Sequence, residues 1–284
     1  MSATPDGLPP LRDVIRAHDL SARKNLGQNF ILDLNLTRRI ARAAGPLEGV
    51  NVIEVGAGPG GLTRALLLEG AATVSAVERD PRCLPILEQI AQHYPERLRI
   101  APADALELEL STIAPAPARI VANLPYGAST ELLVHWLGAE PWPPWYDRMV
   151  LMFQREVAER IVSEANKKSY GRLSVLAQWR TVPRIILTLP PRAFTPAPKV
   201  DSALVEFVPI AEPEAAGSRA ALEKVVAAAF GQRRKMLRQS LKSIMPAPEE
   251  FLRNANIDPT LRAEALSVEQ FCALSRAWIQ KADK

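Results

Sequence analysis

The sequence predicts an α/β fold in which a parallel sheet, covered by helices on both faces, is followed by a small all-helical C-terminal domain. Three observations predict it. Short β-branched runs alternate with helical stretches from about residue 50 to residue 209. A glycine-rich loop follows the first of those runs and opens a helix. Beyond Pro209 the strand-like runs stop and only helical patterns remain.

Asn51-Val52-Ile53-Glu54-Val55 reads as the first strand, buried on both faces, and residues 62–68 as the helix behind it. Residues 73–78 are the next strand. Residues 81–94 are helical, with Pro81 tolerated in the first turn. Residues 98–101, 119–123 and 148–153 supply the third, fourth and fifth strands, and residues 185–189 and 203–208 finish the sheet as an antiparallel hairpin. Residues 211–217, rich in Pro, Ala, Glu and Gly, read as a linker. Helices are expected over 219–230, 233–244, 249–255 and 268–281. No internal repeat is visible.

Composition excludes several classes. Of 284 residues, 48% are hydrophobic and 23% charged, enough for a packed core and too apolar for a disordered chain. Two cysteines, Cys83 and Cys272, cannot build a disulfide scaffold or a four-cysteine zinc site. Three histidines, His18, His93 and His135, lie far apart, so no metal is expected. No apolar run approaches the ~20 residues of a membrane helix. Residues 1–10 hold no basic and apolar leader, so no secretory signal and a cytoplasmic setting are expected. The net charge of +4 is unevenly spread. Residues 219–245 carry seven basic side chains and one acid, a local +6 that leaves −2 for the rest. A polyanion partner and a solvated helix face both account for it.

The glycine loop is Gly56-Ala57-Gly58-Pro59-Gly60-Gly61. It fits a dinucleotide fingerprint and equally the loop that wraps S-adenosylmethionine. Glu78 ends the second strand, where a carboxylate can accept two ribose hydroxyls of either cofactor. Asp104, after the third strand, can accept an adenine amine or simply cap a turn.

Asn123-Leu124-Pro125-Tyr126 follows the fourth strand, where open α/β sheets bind ligands. An aromatic exocyclic amine is a poor nucleophile because its lone pair is delocalised into the ring. Two acceptors aimed at its N–H groups favour a pyramidal, reactive geometry. The Asn123 side chain and the Leu124 carbonyl are candidates for those acceptors. Pro125 stiffens the turn and Tyr126 can stack on the base.

With these motifs in order, the chain resembles the KsgA/RsmA family, the adenine N6,N6-dimethyltransferases of bacterial small-subunit (16S) ribosomal RNA. Lys24-Asn25-Leu26-Gly27-Gln28-Asn29-Phe30 resembles the family's N-terminal KxxGQNF motif. Phe194-Thr195-Pro196-Ala197-Pro198-Lys199-Val200-Asp201-Ser202 resembles its FxPxPKVxS motif. Phe230-Gly231-Gln232-Arg233-Arg234-Lys235-Met236-Leu237-Arg238 resembles the start of its helical domain.

The resemblance implies a Rossmann-like class I S-adenosylmethionine-dependent methyltransferase sheet over residues 27–210. It also implies an N-terminal arm over 1–26 and a helical RNA-binding domain over 218–284. It implies S-adenosyl-L-methionine held by Asn29, Ile31, Gly56, Glu78, Asp104 and Asn123. Asn123, Leu124, Tyr126 and Phe194 would form the catalytic set, with the two aromatics sandwiching the base. Arg233, Arg234, Lys235 and Arg238 would hold RNA. The implied partner is small-subunit rRNA in an immature small ribosomal subunit, with the protein acting as a monomer. Departures are Ile31 for the usual leucine, Ala103 for glycine and Gly127 for asparagine. The Erm enzymes of large-subunit rRNA share the core motifs but match the FTPAPKVDS stretch less well. A non-catalytic ribosome-assembly checkpoint gives no reason to keep Asn123 and Tyr126. A nicotinamide dehydrogenase gives no reason for the NLPY tetrapeptide.

Overall fold

In the computed structural model, residues 4–23 and 27–282 are described. Lys24, Asn25 and Leu26 of the KxxGQNF motif lie outside them, as do Met1 to Ala3 of the expected arm. By packing, the chain divides into two compact units.

The larger unit takes in Met1–Trp136, Pro144–Ala158 and Arg184–Pro209. It opens with α1 (Leu11–Ala17) and α2 (Leu34–Ala43). Then come β1 (Asn51–Val55), α3 (Gly61–Leu68), β2 (Thr73–Val77), α4 (Leu84–His93), β3 (Leu98–Ala101), β4 (Ala118–Ala122) and α5 (Tyr126–Leu137). β5 (Tyr146–Gln154), the start of α6 (Arg155–Ile161), β6 (Thr181–Leu189) from Arg184 onward and β7 (Ser202–Pro209) follow, while α7 (Arg172–Arg180) belongs to the second unit. The sheet order is β3-β2-β1-β4-β5-β7-β6. β1 pairs in parallel with β2 and β4, β2 with β3, and β4 with β5. β7 runs antiparallel to β5. The continuous apolar runs of β1, β2 and β4 follow from this, because helices cover both faces of a parallel sheet.

From β1 the chain steps outward to β2 and β3, then returns to place β4 on the other side of β1. The connections leaving the C-terminal ends of β1 and β4 therefore diverge, and a cleft opens between them. Pro125 begins the turn into α5, and its carbonyl accepts from Ala128 and Ser129. Tyr126 is thus the first residue of a helix that alternation of strands alone does not delimit.

Near the N-terminus, Arg64 of α3 is 3% exposed and forms a two-pronged ion pair with Asp6 at 2.6 and 2.7 Å. It also donates to the carbonyl of Pro9 at 2.8 Å. The expected arm is thereby fastened to the helix that follows the glycine loop.

The second unit comprises Leu137–Pro143, Glu159–Pro183 and Ile210–Lys284. It holds α7 and, after Pro209, α8 (Arg219–Gly231), α9 (Leu237–Ser240), α10 (Pro248–Asn254) and α11 (Val268–Ala282). Phe230 stacks on Phe271 at 5.6 Å and meets Tyr170 edge-on at 6.0 Å. Arg180 lies over both Trp142 (4.6 Å) and Trp179 (4.4 Å), which makes the Pro141–Pro144 stretch a packed loop. The stretch at 211–217 is pinned rather than loose, because Glu214 accepts from Trp179 Nε1 at 2.8 Å and from Arg276 at 2.9 Å.

The helix expected over 233–244 is shorter than its pattern. Residues 232–235 form a turn, and the N–H groups of Leu237 and Arg238 bond to the carbonyls of Leu261 and Pro259 instead of to a preceding helical turn.

Asp6→Ala should strand a buried guanidinium and lower the stability of the larger unit by about 3 kcal/mol, the low end for a broken buried pair, because Arg64 keeps its carbonyl partners. Urea denaturation checks this. An unchanged midpoint would mean that the arm is not fastened through Arg64.

Candidate active site

The cleft beyond β1 and β4 is a cavity of about 590 Å³. Its walls come from the Gly27–Ile31 segment, the glycine loop, the ends of β2 and β3, and the NLPY turn with the start of α5.

The glycine loop takes its shape from backbone conformations that side chains disfavour. Gly58 (φ +54°) and Gly60 (φ +83°) are left-handed, and a Cβ at Gly60 would stand 2.3 Å from Ile90. The loop is fixed by Glu78, whose Oε2 accepts from Gly58 N and whose Oε1 accepts from Asp80 N, both at 2.7 Å. Burial pushes the Glu78 carboxyl up, and those backbone donors pull it back. A carboxylate oxygen has about two lone-pair directions. Each oxygen therefore retains accepting capacity toward the cavity it lines.

Asp80 extends this anchor. It accepts from Gln28 Nε2 at 2.8 Å and pairs with Arg82 at 2.6 Å. Arg82, then Gln28, hold the Asp80 carboxyl down at about 2. Gln28 thus ties the described part of the KxxGQNF motif to the strand end that carries Glu78. Asp104 also lines the cavity. Its Oδ1 accepts from Leu106 N at 3.1 Å and its Oδ2 from Arg79 at 2.9 Å, and both lower its pKa.

Asn123 donates through Nδ2 to the carbonyl of Asn29 at 3.1 Å, which leaves Oδ1 as an acceptor. Asn29 is itself held, its Nδ2 donating to Gly27 O at 3.1 Å. Leu124 is 2% exposed, so its side chain anchors the turn while its backbone contributes to the wall. The Tyr126 hydroxyl meets Ser202 Oγ on β7 at 2.5 Å, which fixes the phenol from behind.

Asn29, Ile31, Gly56, Glu78, Asp104, Asn123, Leu124 and Tyr126 therefore share one cavity wall. Phe194 does not. The resemblance places it opposite Tyr126, but it is 4% exposed and packs in the core that also holds Phe30 and Leu62. The reason is local. Phe30 and Thr195 exchange backbone hydrogen bonds at 2.9 and 2.8 Å, and the extended chain turns the side chain preceding Thr195 inward.

The basic cluster also divides. Arg233 donates to the carbonyl of Lys168 at 2.5 Å and pairs with Glu264 at 3.1 Å. Arg238 pairs with Glu249 at 3.3 Å. Arg234 and Lys235 sit exposed on the turn between α8 and α9.

Sequence reasoning passed over Gln28, Asp80 and Glu54 as site residues. Glu54 was visible as the acidic residue of a buried strand. It is 1% exposed and accepts from Thr63 Oγ1 at 2.5 Å. Burial, with a smaller contribution from the Glu78 charge, pushes it up to about 8.

The family model for ribosomal RNA adenine dimethylases matches residues 19–280. The chain belongs to that dimethylase family. It is 59% identical over 271 residues to a ribosomal RNA small subunit methyltransferase A of Cereibacter sphaeroides, covering 95% of this chain and 97% of that protein. It is 61% identical over 271 residues to the protein of the same name from Rhodopseudomonas palustris, covering 95% and 94%. Among solved structures, a dimethyladenosine transferase from Plasmodium falciparum shares the fold, with a TM-score of 0.74, 22% identity and coverage of 88% and 97%. The 23S rRNA methyltransferase ErmE is more distant in fold, with a TM-score of 0.63, 27% identity and coverage of 89% and 100%. The small-subunit relatives are thus far closer in sequence to this dimethylase than ErmE is.

In this dimethylase, Glu78→Ala should weaken S-adenosylmethionine binding by roughly ten- to a thousand-fold, since up to two charge-assisted hydrogen bonds of about 1.5–3 kcal/mol are lost. The midpoint of unfolding should fall as well, because two buried N–H groups lose their acceptor. Calorimetry and thermal melts read the two effects, and intact affinity would place the cofactor elsewhere.

Proposed function

We infer that the protein is an S-adenosylmethionine-dependent rRNA (adenine-N6,N6-)dimethyltransferase. It dimethylates the N6 amines of two adjacent adenines in a loop near the 3′ end of small-subunit rRNA, late in small-subunit biogenesis. The observation that carries the reading is Asn123 at the end of β4, its amide fixed by the Asn29 carbonyl so that Oδ1 remains an acceptor beside the glycine loop. The relatives named as small subunit methyltransferases, about 60% identical over nearly the whole chain, support the choice of substrate.

The residues present fit the cofactor. Three left-handed glycines, Gly56, Gly58 and Gly60, let the backbone close around a ligand, and the Glu78 oxygens keep accepting capacity for hydroxyls. When bound, S-adenosylmethionine supplies an electrophilic methyl on a sulfonium. Asn29, Ile31, Gly56, Glu78, Asp104 and Asn123 would hold it.

The protein's own part is positional and electrostatic. Asn123 Oδ1 and the Leu124 carbonyl accept the two amine hydrogens and orient the nitrogen lone pair. Tyr126, braced by Ser202, offers its ring to the base, and Phe194 supports that wall from the core. An adenine must leave its stack to enter, so a single-stranded loop suits the site. The amine proton becomes acidic once the nitrogen is alkylated, so no side chain has to remove it beforehand. The helical residues from 218 onward are the proposed RNA-binding domain, with Arg234 and Lys235 on phosphate. A monomer acting in the cytoplasm on an immature small subunit completes the reading.

Replacing Arg234 and Lys235 with Gln should flatten the salt dependence of RNA binding by about 0.7–0.9 log units per lost contact and leave cofactor affinity unchanged. An identical slope would make the turn a solvated surface. Asn123→Ala should slow single-turnover methyl transfer to small subunits by about 10²–10³ while RNA binding falls far less. Transfer at near wild-type rate would remove Asn123 from the reaction.

A further inference from the structure

The cavity is acidic inside a basic protein. Among the described residues, five carboxyl side chains, Glu54, Glu78, Asp80, Asp104 and Glu131, line it with one basic side chain, Arg79. The chain as a whole carries +4. Two of the acids are neutralised locally: Asp80 by Arg82 at 2.6 Å and Asp104 by Arg79 at 2.9 Å. Glu54 and Glu78 are not. Among the described residues no basic side chain forms an ion pair with either, and both are buried, at 1% and 6%. Glu78 at least receives two backbone N–H groups. Glu54 faces a hydroxyl from α3, Thr63, and the like charge of Glu78 at the end of β2. Among the described residues, a carboxyl so placed has no ion-pair partner to offset its charge.

We propose that Glu54 is the residue by which the cavity distinguishes the cationic sulfonium cofactor from its neutral thioether product. The inference rests on the cofactor reading above. Reactant and product differ at sulfur by one methyl and one fixed positive charge. A site that is only shape-complementary separates them weakly. A buried carboxyl able to change its charge adds an electrostatic preference for the reactant. Burial, with the Glu78 charge beside it, favours the protonated form of Glu54 before a cation enters. A nearby fixed cation favours the carboxylate, so the proton leaves when the reactant enters. The thioether carries the same α-ammonium but lacks the sulfonium charge, so it draws less of the Glu54 proton away. Each target adenine takes two methyl groups, so spent product must leave between transfers, and a site that holds it less tightly than the reactant clears faster.

The test measures binding of S-adenosylmethionine and S-adenosylhomocysteine by calorimetry from pH 6 to 8.5, in pairs of buffers with different ionisation enthalpies. For the wild type, the reactant should release more protons than the product near pH 7. Its affinity advantage should grow on the order of tenfold as pH rises through the Glu54 titration. Glu54→Gln keeps an acceptor for Thr63 and leaves the ligands' own titrations in place, so the pH-dependent part of that advantage should disappear. If Glu54→Gln unfolds the protein, the wild-type proton release decides alone. Equal release for the two ligands, or an advantage that grows with pH in the Glu54→Gln variant as in the wild type, overturns the role of Glu54 while leaving the cofactor reading intact. Failure of the wild type to bind either compound overturns both.

Discussion

The Glu78 carboxylate is the constraint on which the site depends. Its two oxygens take the N–H groups of Gly58 and Asp80, so a single side chain joins the loop after β1 to the residues after β2. Those two peptide groups are buried, and each would cost about 1–3 kcal/mol if left without an acceptor. The anchor continues through Asp80 to Gln28 and Arg82, which hold the segment leading into Asn29. A ligand meeting Glu78 therefore meets three stretches of chain that move together. The remaining lone pairs are already oriented before a hydroxyl arrives, which reduces the ordering cost of binding.

A second set of contacts brings together motifs that lie far apart in sequence. Asn123 reaches the Asn29 carbonyl, Phe30 exchanges backbone hydrogen bonds with Thr195, and Tyr126 meets Ser202. The GQNF and NLPY segments thus line the cavity together, and the FTPAPKVDS segment, which does not line it, is bonded to both. The FTPAPKVDS segment in particular acts through its backbone and through Ser202, with Phe194 in the core.

The sheet was legible because its strands are short, β-branched and bounded by glycine and proline, and because burial on both faces removes the ambiguity of alternation. The glycine loop, Glu78, Asp104 and Asn123 were legible because each sits at a strand end, and parallel topology brings strand ends together. What stayed hidden depends on contacts that local pattern does not encode. The turn at 232–235 exists because Leu237 and Arg238 bond to a distant loop instead of to the preceding turn. Arg233 looks like its neighbours in sequence, yet Glu264 and Lys168 engage it. Phe194 faces inward because its neighbour pairs with Phe30. Glu54 reads as an ordinary motif acid until its burial, and the lack of an ion-pair partner among the described residues, are seen.

Charge is partitioned along the same lines. The basic excess lies in residues 219–245, on helices and an exposed turn in water, where it can meet a polyanion at long range. The acidic side chains that matter line an enclosed cavity, where the low dielectric strengthens every interaction. A nucleic acid backbone is repelled by such a cavity, while a cationic small molecule is drawn in. An adenine, being neutral, can enter from a strand whose phosphates stay outside. On the proposed reading, Glu78, and Glu54 once it ionises, favour a positive charge within the cavity, and the uncharged base is the part of an RNA strand that such a cavity admits.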